Sequence, residues 1–122
     1  MSVQVVPRRM RGFISLTAHP AGCARNVADQ IEVVRRCVLG EPARLGTVLV
    51  LGSSTGYGLA SALVAAFGYG APTLGVCFEK EPEGDKTATA GWYNLAAAHD
   101  AAAAAGLHFE TINGDAFSDD VK

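Results

Sequence analysis

The chain has 122 residues, of which 49% are hydrophobic, and it carries a formal net charge of -2. This length corresponds to one domain or part of one, with enough residues to bury a modest core. The composition excludes a disordered tail, and the slightly acidic balance gives no electrostatic reason to expect a nucleic-acid partner. No apolar run approaches the roughly 20 residues that span a bilayer. Residues 1–11 lack a hydrophobic signal core, so we expect a cytoplasmic protein.

The first predicted elements are a short strand and an amphipathic helix. Residues 13–16 form a small apolar run that predicts the strand, and residues 19–22 are typical of a turn. A helix is predicted over residues 23–38, where Val27, Ile31, Val34 and Val38 recur at helical spacing. Pro42 and its glycine neighbours end this pattern.

The rest of the chain alternates between strands and helices. Residues 47–51 predict a buried strand because they are rich in β-branched residues, do not alternate between apolar and polar, and are bounded by glycine. Residues 56–67 predict a helix, and residues 73–78 a second strand of this kind. The longest predicted helix covers the alanine-rich residues 87–105, and a final strand covers residues 107–112.

Strands that alternate with helices at this spacing indicate right-handed crossovers and a parallel sheet. We therefore predict an α/β fold, a Rossmann-like parallel sheet with helices on both faces. Ligands of such sheets bind at the carboxyl ends of the strands, which here are the loops beginning at Gly52, Glu79 and Asn113. Residues 114–122 resemble a loop leading into another helix, so we expect the fold to be incomplete.

The three cysteines, Cys23, Cys37 and Cys77, are widely spaced and form no CxxC pair. The pattern indicates neither a metal site nor a disulfide framework, and we expect reduced, mostly buried thiols. His19 has no visible acidic partner, so a structural role is favoured over catalysis. No residue of the chain is predicted to be catalytic.

A glycine-rich turn follows the apolar strand at residues 47–51. Gly52, Gly56 and Gly58 have the wider spacing seen in short-chain dehydrogenases. The first glycine permits a sharp exit from the strand, the second a close approach of backbone to a pyrophosphate, and the third close packing of the helix. The intervening hydroxyls can donate hydrogen bonds to phosphate; they belong to Ser53, Ser54 and Thr55. The alternative is an ordinary glycine-rich turn.

Two acidic residues stand where the next strands end. Glu79 lies about 20 residues past the glycine motif, where an acid binds the ribose diol of adenosine. Its charge would repel a 2′-phosphate, which favours NADH over NADPH; the alternative is a solvated loop glutamate. Asp115 is placed to bind the adenine amino group, with Ala116 against the ring, and its alternative is a local turn.

The sequence resembles the NADH-dependent trans-2-enoyl-CoA reductases, also called enoyl-acyl-carrier-protein reductases of the single-chain, enlarged short-chain-dehydrogenase type. The resemblance extends over nearly the whole chain. Its most specific stretches are GWYN at residues 91–94 and INGDAFSD at residues 112–119, which are far more specific than the glycine motif. The glycine motif and residues 75–79 also match.

This resemblance implies an oxidoreductase of fatty acid biosynthesis that uses NADH to reduce the trans-2 double bond of an enoyl-CoA or enoyl-acyl-carrier protein. It implies a monomeric full-length form. It also implies a pyrophosphate loop, an adenosine-ribose pair and two adenine contacts; these residues are Gly52, Ser53, Ser54, Thr55, Gly56, Tyr57, Phe78, Glu79, Asp115 and Ala116.

The family's catalytic tyrosine and lysine have a Tyr-x8-Lys spacing, which does not occur in this chain. Residues 1–122 therefore correspond to the N-terminal part of a Rossmann-type NAD-binding domain without the catalytic C-terminal part, and we expect them to be inactive alone. Two alternatives stay open: an NAD-dependent short-chain dehydrogenase acting on a ketone or alcohol, and a non-catalytic nucleotide-binding module.

Overall fold

The computed structural model describes residues 5–37 and 45–122. They form a small antiparallel hairpin, a parallel sheet of three strands, and helices that follow the strands. In chain order the elements are β1 Met10–Arg11, β2 Ile14–Ser15, α1 Pro20–Cys37, β3 Val48–Leu51, α2 Gly56–Leu63, β4 Thr73–Cys77, α3 Ala90–Ala104 and β5 Phe109–Asn113, with a π-helical segment at Val64–Gly68 directly after α2.

The three-stranded sheet has the order β3-β4-β5, and both pairs are parallel. Val48 lies opposite Thr73 in the first pair, and Cys77 lies opposite Asn113 in the second. All three strands therefore end at one edge of the sheet. This confirms the predicted parallel α/β arrangement and brings the three predicted loops to the same side.

The predicted first strand does not join this sheet. Its residues form the second strand of the β1–β2 hairpin, in which Met10 lies opposite Ser15, and both strands are exposed. A short apolar run can hydrogen-bond its backbone N–H and C=O groups to the segment just before it in the chain. Closing that short loop costs less conformational entropy than joining the sheet. The prediction of a fourth strand in the parallel sheet is therefore wrong.

Helix α1 begins earlier than its apolar pattern predicts. The predicted turn at residues 19–22 is instead its start: Pro20 is the first helical residue, and His19 Nδ1 accepts the Gly22 N–H at 2.9 Å. Proline suits the first helical position, and the His19 side chain satisfies one of the free N–H groups there. Val27 and Ile31 are buried, and α1 packs against α3. The predictions for Val38 and Pro42 lie outside the described residues.

Helix α3 begins later than predicted, at Ala90 rather than residue 87. The two threonines before it hydrogen-bond outside the helix. Thr87 Oγ1 accepts the Ala18 N–H at 3.0 Å, and the Thr89 N–H donates to the Lys80 carbonyl at 3.1 Å. Alanine favours the helix, but these contacts hold the segment in an extended connection.

Within the described residues, the helices cover one face of the sheet and leave the other open. Val50 of β3 is buried in the core with Leu59, Leu63 and Phe109, whereas Leu49 and Leu51 on the other face are 59% and 64% exposed. The prediction that helices cover both faces is wrong for these residues. Both crossovers, β3–α2–β4 and β4–α3–β5, proceed in the same direction across the sheet, so their shared handedness puts both helices on one side. No described helix combines the length and apolar character needed to traverse a membrane.

Candidate nucleotide-binding site

The glycine turn connects the carboxyl end of β3 to the start of α2. Gly52 and Gly56 have φ angles of 78° and 54°, which side-chain-bearing residues rarely adopt. Gly58 lies so close to the strand exit that a Cβ there would be 1.7 Å from the Gly52 carbonyl oxygen. Helix α2 opens at Gly56, and the first N–H groups of a helix have no partner within it. At its three glycines, this turn therefore exposes backbone N–H donors without a side chain that would keep a ligand away from them.

The three hydroxyl residues of the turn point to different partners. Ser53 is fully buried, and its Oγ donates to the Val76 carbonyl at 3.5 Å. Ser54 is also buried, and its Oγ donates to Glu79 Oε1. Thr55 and Tyr57 are exposed. Two of the hydroxyls predicted to bind phosphate thus bind protein acceptors, leaving the Thr55 hydroxyl and the backbone N–H groups at the surface of the turn.

Glu79 is half-buried at the end of β4, and both of its carboxylate oxygens accept hydroxyl hydrogen bonds. Oε1 accepts from Ser54 and Oε2 accepts from Thr89. Each carboxylate oxygen has a second lone pair, so the group keeps the capacity to accept further hydroxyls. The ribose acid and the phosphate turn of the sequence prediction are therefore in direct contact across 25 residues of chain.

Two asparagines complete this edge, and no local pattern predicts their roles. Asn94 is buried in α3, and its Nδ2 donates to the Ser54 carbonyl at 3.0 Å. The Asn113 side chain accepts the Glu79 N–H at 2.8 Å and donates to the Glu79 carbonyl at 3.0 Å. Asn94 belongs to the GWYN stretch and Asn113 to the INGD stretch. Membership in these family-specific stretches is the feature of the sequence that could have identified both residues.

Asp115 and Ala116 follow β5 at the same edge. Asp115 is exposed, and its Oδ1 accepts the Phe117 N–H at 2.9 Å, as expected for the alternative prediction of a local turn. Ala116 is half-buried, whereas Phe78 is 79% exposed beside Glu79. One oxygen of Asp115 is engaged in this turn, and the carboxylate has further lone pairs with which it can accept hydrogen bonds.

The cysteines and histidines of the described residues form no reactive cluster. Cys23, Cys37 and Cys77 are free thiols, and Cys37 is exposed, so the prediction of mostly buried thiols is wrong for that residue. In the two described ranges, no group of three or more His, Cys, Asp or Glu side chains is arranged to hold a metal ion. His19 serves as the cap of α1, in agreement with the structural role predicted for it.

Together these features define the class of protein. A glycine turn with left-handed glycines, a helix start without side-chain obstruction and an acid at the end of the next parallel strand form a dinucleotide-binding βαβ unit. The family model for the NAD(P)H binding domain of trans-2-enoyl-CoA reductase matches residues 5–84, and the model for the trans-2-enoyl-CoA reductase catalytic region matches residues 86–122. The chain belongs to the trans-2-enoyl-CoA reductase family.

Curated relatives and solved structures agree with this membership. The chain is 60% identical over 119 residues to an enoyl-[acyl-carrier-protein] reductase [NADH] of Pseudoalteromonas atlantica and 58% identical over 120 residues to one of Idiomarina loihiensis. Both alignments cover 97% of this chain. The chain spans about 30% of the length of these two relatives.

The fold matches crystal structures of trans-2-enoyl-CoA reductases. The enzyme of Treponema denticola in complex with NAD superposes with a TM-score of 0.89 at 48% identity, covering 97% of this chain and 31% of that one. The enzyme of Clostridium acetobutulicum in complex with NADH superposes with a TM-score of 0.86 at 31% identity, covering 96% of this chain and 29% of that one.

Proposed function

We propose that this chain supplies the pyrophosphate and adenosine side of an NADH site in an enzyme that reduces the trans-2 double bond of an enoyl-CoA or enoyl-acyl-carrier protein. The observation that carries the proposal is the direct contact between the glycine turn and Glu79 at one edge of the parallel sheet. The relatives named for NADH-dependent reduction, and the structures with NAD or NADH bound, support it.

The residues of the turn divide the binding of the cofactor between backbone and side chains. Backbone N–H groups at the start of α2, with the Thr55 hydroxyl, bind the pyrophosphate, while Gly52, Gly56 and Gly58 keep the surface open to it. Ser53 and Ser54 form the inner wall of the loop through their hydrogen bonds to protein acceptors. Tyr57, which is 95% exposed, lies at the outer rim of the turn.

The second half of the site binds the adenosine. Glu79 accepts the ribose hydroxyls, and the exposed Phe78, which precedes it in the chain, provides an apolar surface for the adenosine. Asp115 accepts the adenine amino group, and Ala116 provides a small apolar contact with the ring. NADH, when bound, supplies the hydride for the double bond, and none of residues 1–122 is assigned to the accompanying proton. The monomeric state and cytoplasmic location of the whole protein stay predictions.

The Glu79 assignment predicts a loss that depends on the cofactor. In the complete gene product, Glu79→Ala should weaken NADH binding about tenfold or more, because a charge-assisted hydrogen bond contributes about 1.5–3 kcal/mol. NADPH binding should weaken less or improve, since the variant removes the charge that repels the 2′-phosphate. Titration calorimetry with both cofactors measures the two constants. Glu81→Ala, in the same exposed loop, is the matched control and should change neither. Equal losses for both cofactors would contradict the ribose role.

The second prediction concerns the 122-residue chain by itself. Purified alone, it should show no NADH-dependent reduction of crotonyl-CoA or crotonyl-acyl-carrier protein, because it has no Tyr-x8-Lys pair. It should also be poorly stable, because the apolar face around Leu49 and Leu51 is open to water. The NADH absorbance reports turnover, with the complete gene product as positive control. Turnover by the 122 residues would contradict the prediction. Activity of the complete product on ketones alone would favour a short-chain dehydrogenase, and NADH binding without turnover a binding module.

A further inference from the structure

The side chain of Asn113 continues the hydrogen bonding between β4 and β5 beyond their last residue pair. Cys77 lies opposite Asn113, and the Gly114 N–H donates to the Cys77 carbonyl at 2.8 Å. Beyond Cys77, the Asn113 side-chain amide makes the hydrogen bonds that the backbone of a neighbouring strand would make. Its Oδ1 accepts the Glu79 N–H at 2.8 Å, and its Nδ2 donates to the Glu79 carbonyl at 3.0 Å. These two bonds fix both polar groups of the Glu79 backbone.

These two hydrogen bonds order a residue that would otherwise belong to a loop. Glu79 is followed by an exposed charged stretch at residues 80–86, and a strand end without partners frays. With its backbone held by Asn113, the Glu79 side chain leaves the chain in one direction, where Ser54 and Thr89 each donate a hydroxyl to it. The acid is therefore held from β5, from the glycine turn and from the segment before α3.

The Asn113 amide is itself held in one orientation. Its Oδ1 also lies 3.6 Å from the Cys77 sulfur. Burial, and in second place the nearby Glu79 carboxylate, raise the pKa of the Cys77 thiol, so the thiol stays protonated as a donor. An S–H donor and the Glu79 N–H both require an oxygen at this position, which determines which end of the amide faces them.

We propose that Asn113 is a positioning residue for the cofactor site, which fixes Glu79 toward the adenosine ribose before NADH arrives. The inference rests on the ribose role proposed above for Glu79. The Asn113 amide binds the Glu79 backbone, so it acts on the ribose diol through Glu79. Because Asn113 already orders the Glu79 backbone in the free protein, NADH binding does not have to supply the free energy of that ordering, as in other preorganised sites.

The test uses the complete gene product and titration calorimetry with NADH and NADPH. Asn113→Ala removes both bonds to Glu79, and Asn113→Asp keeps the size but places an oxygen against the Glu79 carbonyl. Each should raise the Kd for NADH about tenfold, the loss of one to two hydrogen bonds. Asn26→Ala, an exposed asparagine on α1, is the matched control and should leave the Kd unchanged. If Asn113→Ala fails to fold, the isosteric Asn113→Asp provides the same test.

A double-mutant cycle separates positioning from a general structural role. Once Glu79→Ala has removed the carboxylate, adding Asn113→Ala should raise the Kd for NADH less than about twofold, because there is no acid left to orient. Additive losses, or a lower melting temperature with an unchanged Kd, would overturn the positioning role while leaving the NADH site in place. An unchanged Kd for Glu79→Ala alone would instead overturn the ribose assignment, and the role of Asn113 with it.

Discussion

Gly58→Ala should abolish measurable NADH binding and lower the free energy of unfolding by about 3 kcal/mol or more, the upper range for overpacking. The added Cβ would lie 1.7 Å from the Gly52 carbonyl oxygen and 2.7 Å from its carbon. Both atoms are backbone, held by the Gly52 N–H that donates to the Val76 carbonyl at 2.8 Å. The clash can therefore be relieved only by moving the start of α2 away from the strand exit, which displaces the donors of the pyrophosphate loop.

Gly46→Ala provides the control for this experiment. It makes the same chemical change in the same chain, and a Cβ there would meet nothing within 4 Å. Calorimetry with NADH and chemical denaturation of the complete gene product measure binding and stability separately. Gly46→Ala should retain both. Native stability and native NADH affinity in Gly58→Ala would show that the helix does not approach the strand this closely.

Gly91→Ala is the second change with a large expected effect. We expect it to lower the free energy of unfolding, whereas a glycine-to-alanine change in a helix usually raises it. Alanine in place of a helical glycine ordinarily stabilises by about 0.5–1 kcal/mol. At Gly91, however, the new Cβ would lie 2.2 Å from Glu79 Oε1 and 2.7 Å from Ser54 Cβ. The Glu79 side chain can rotate away, but Ser54 Cβ is attached to the glycine turn. We expect the Kd for NADH to rise at least about tenfold, with a loss of stability rather than a gain.

Adding Glu79→Ala tests the cause of this loss. Removing the carboxylate removes the 2.2 Å contact and leaves the one with Ser54 Cβ. The increase in Kd caused by Gly91→Ala should therefore be smaller in the Glu79→Ala background than in the native one. The Kd for NADH and the unfolding midpoint of the single and double variants provide the comparison. A Gly91→Ala variant that is more stable than the native protein and binds NADH normally would contradict the packing of α3 on both cofactor loops.

Local patterns predicted most of the elements, and their failures have physical causes. Helix α2 and the three parallel strands lie within a few residues of their predictions, because apolar runs and glycine boundaries act over short distances. The π-helical turn at Val64–Gly68 has no such signature. The start of α3 is delayed to Ala90 by hydrogen bonds to Ala18 and Lys80, contacts that helix propensity does not include.

The amino-acid sequence is sufficient to predict the order of the three parallel strands with the helices between them, the glycine positions of the turn and the three loops that meet at one sheet edge. These follow from local backbone preferences and from the fixed handedness of crossovers. The hydrogen bond from Ser54 to Glu79, the bonds by which Asn94 and Asn113 hold the two loops, and the open sheet face of the described residues depend on tertiary contacts. The Asn113 bonds join residues 34 positions apart in the chain, so they exist only after the strands have paired. A short window of sequence holds only one end of such a hydrogen bond.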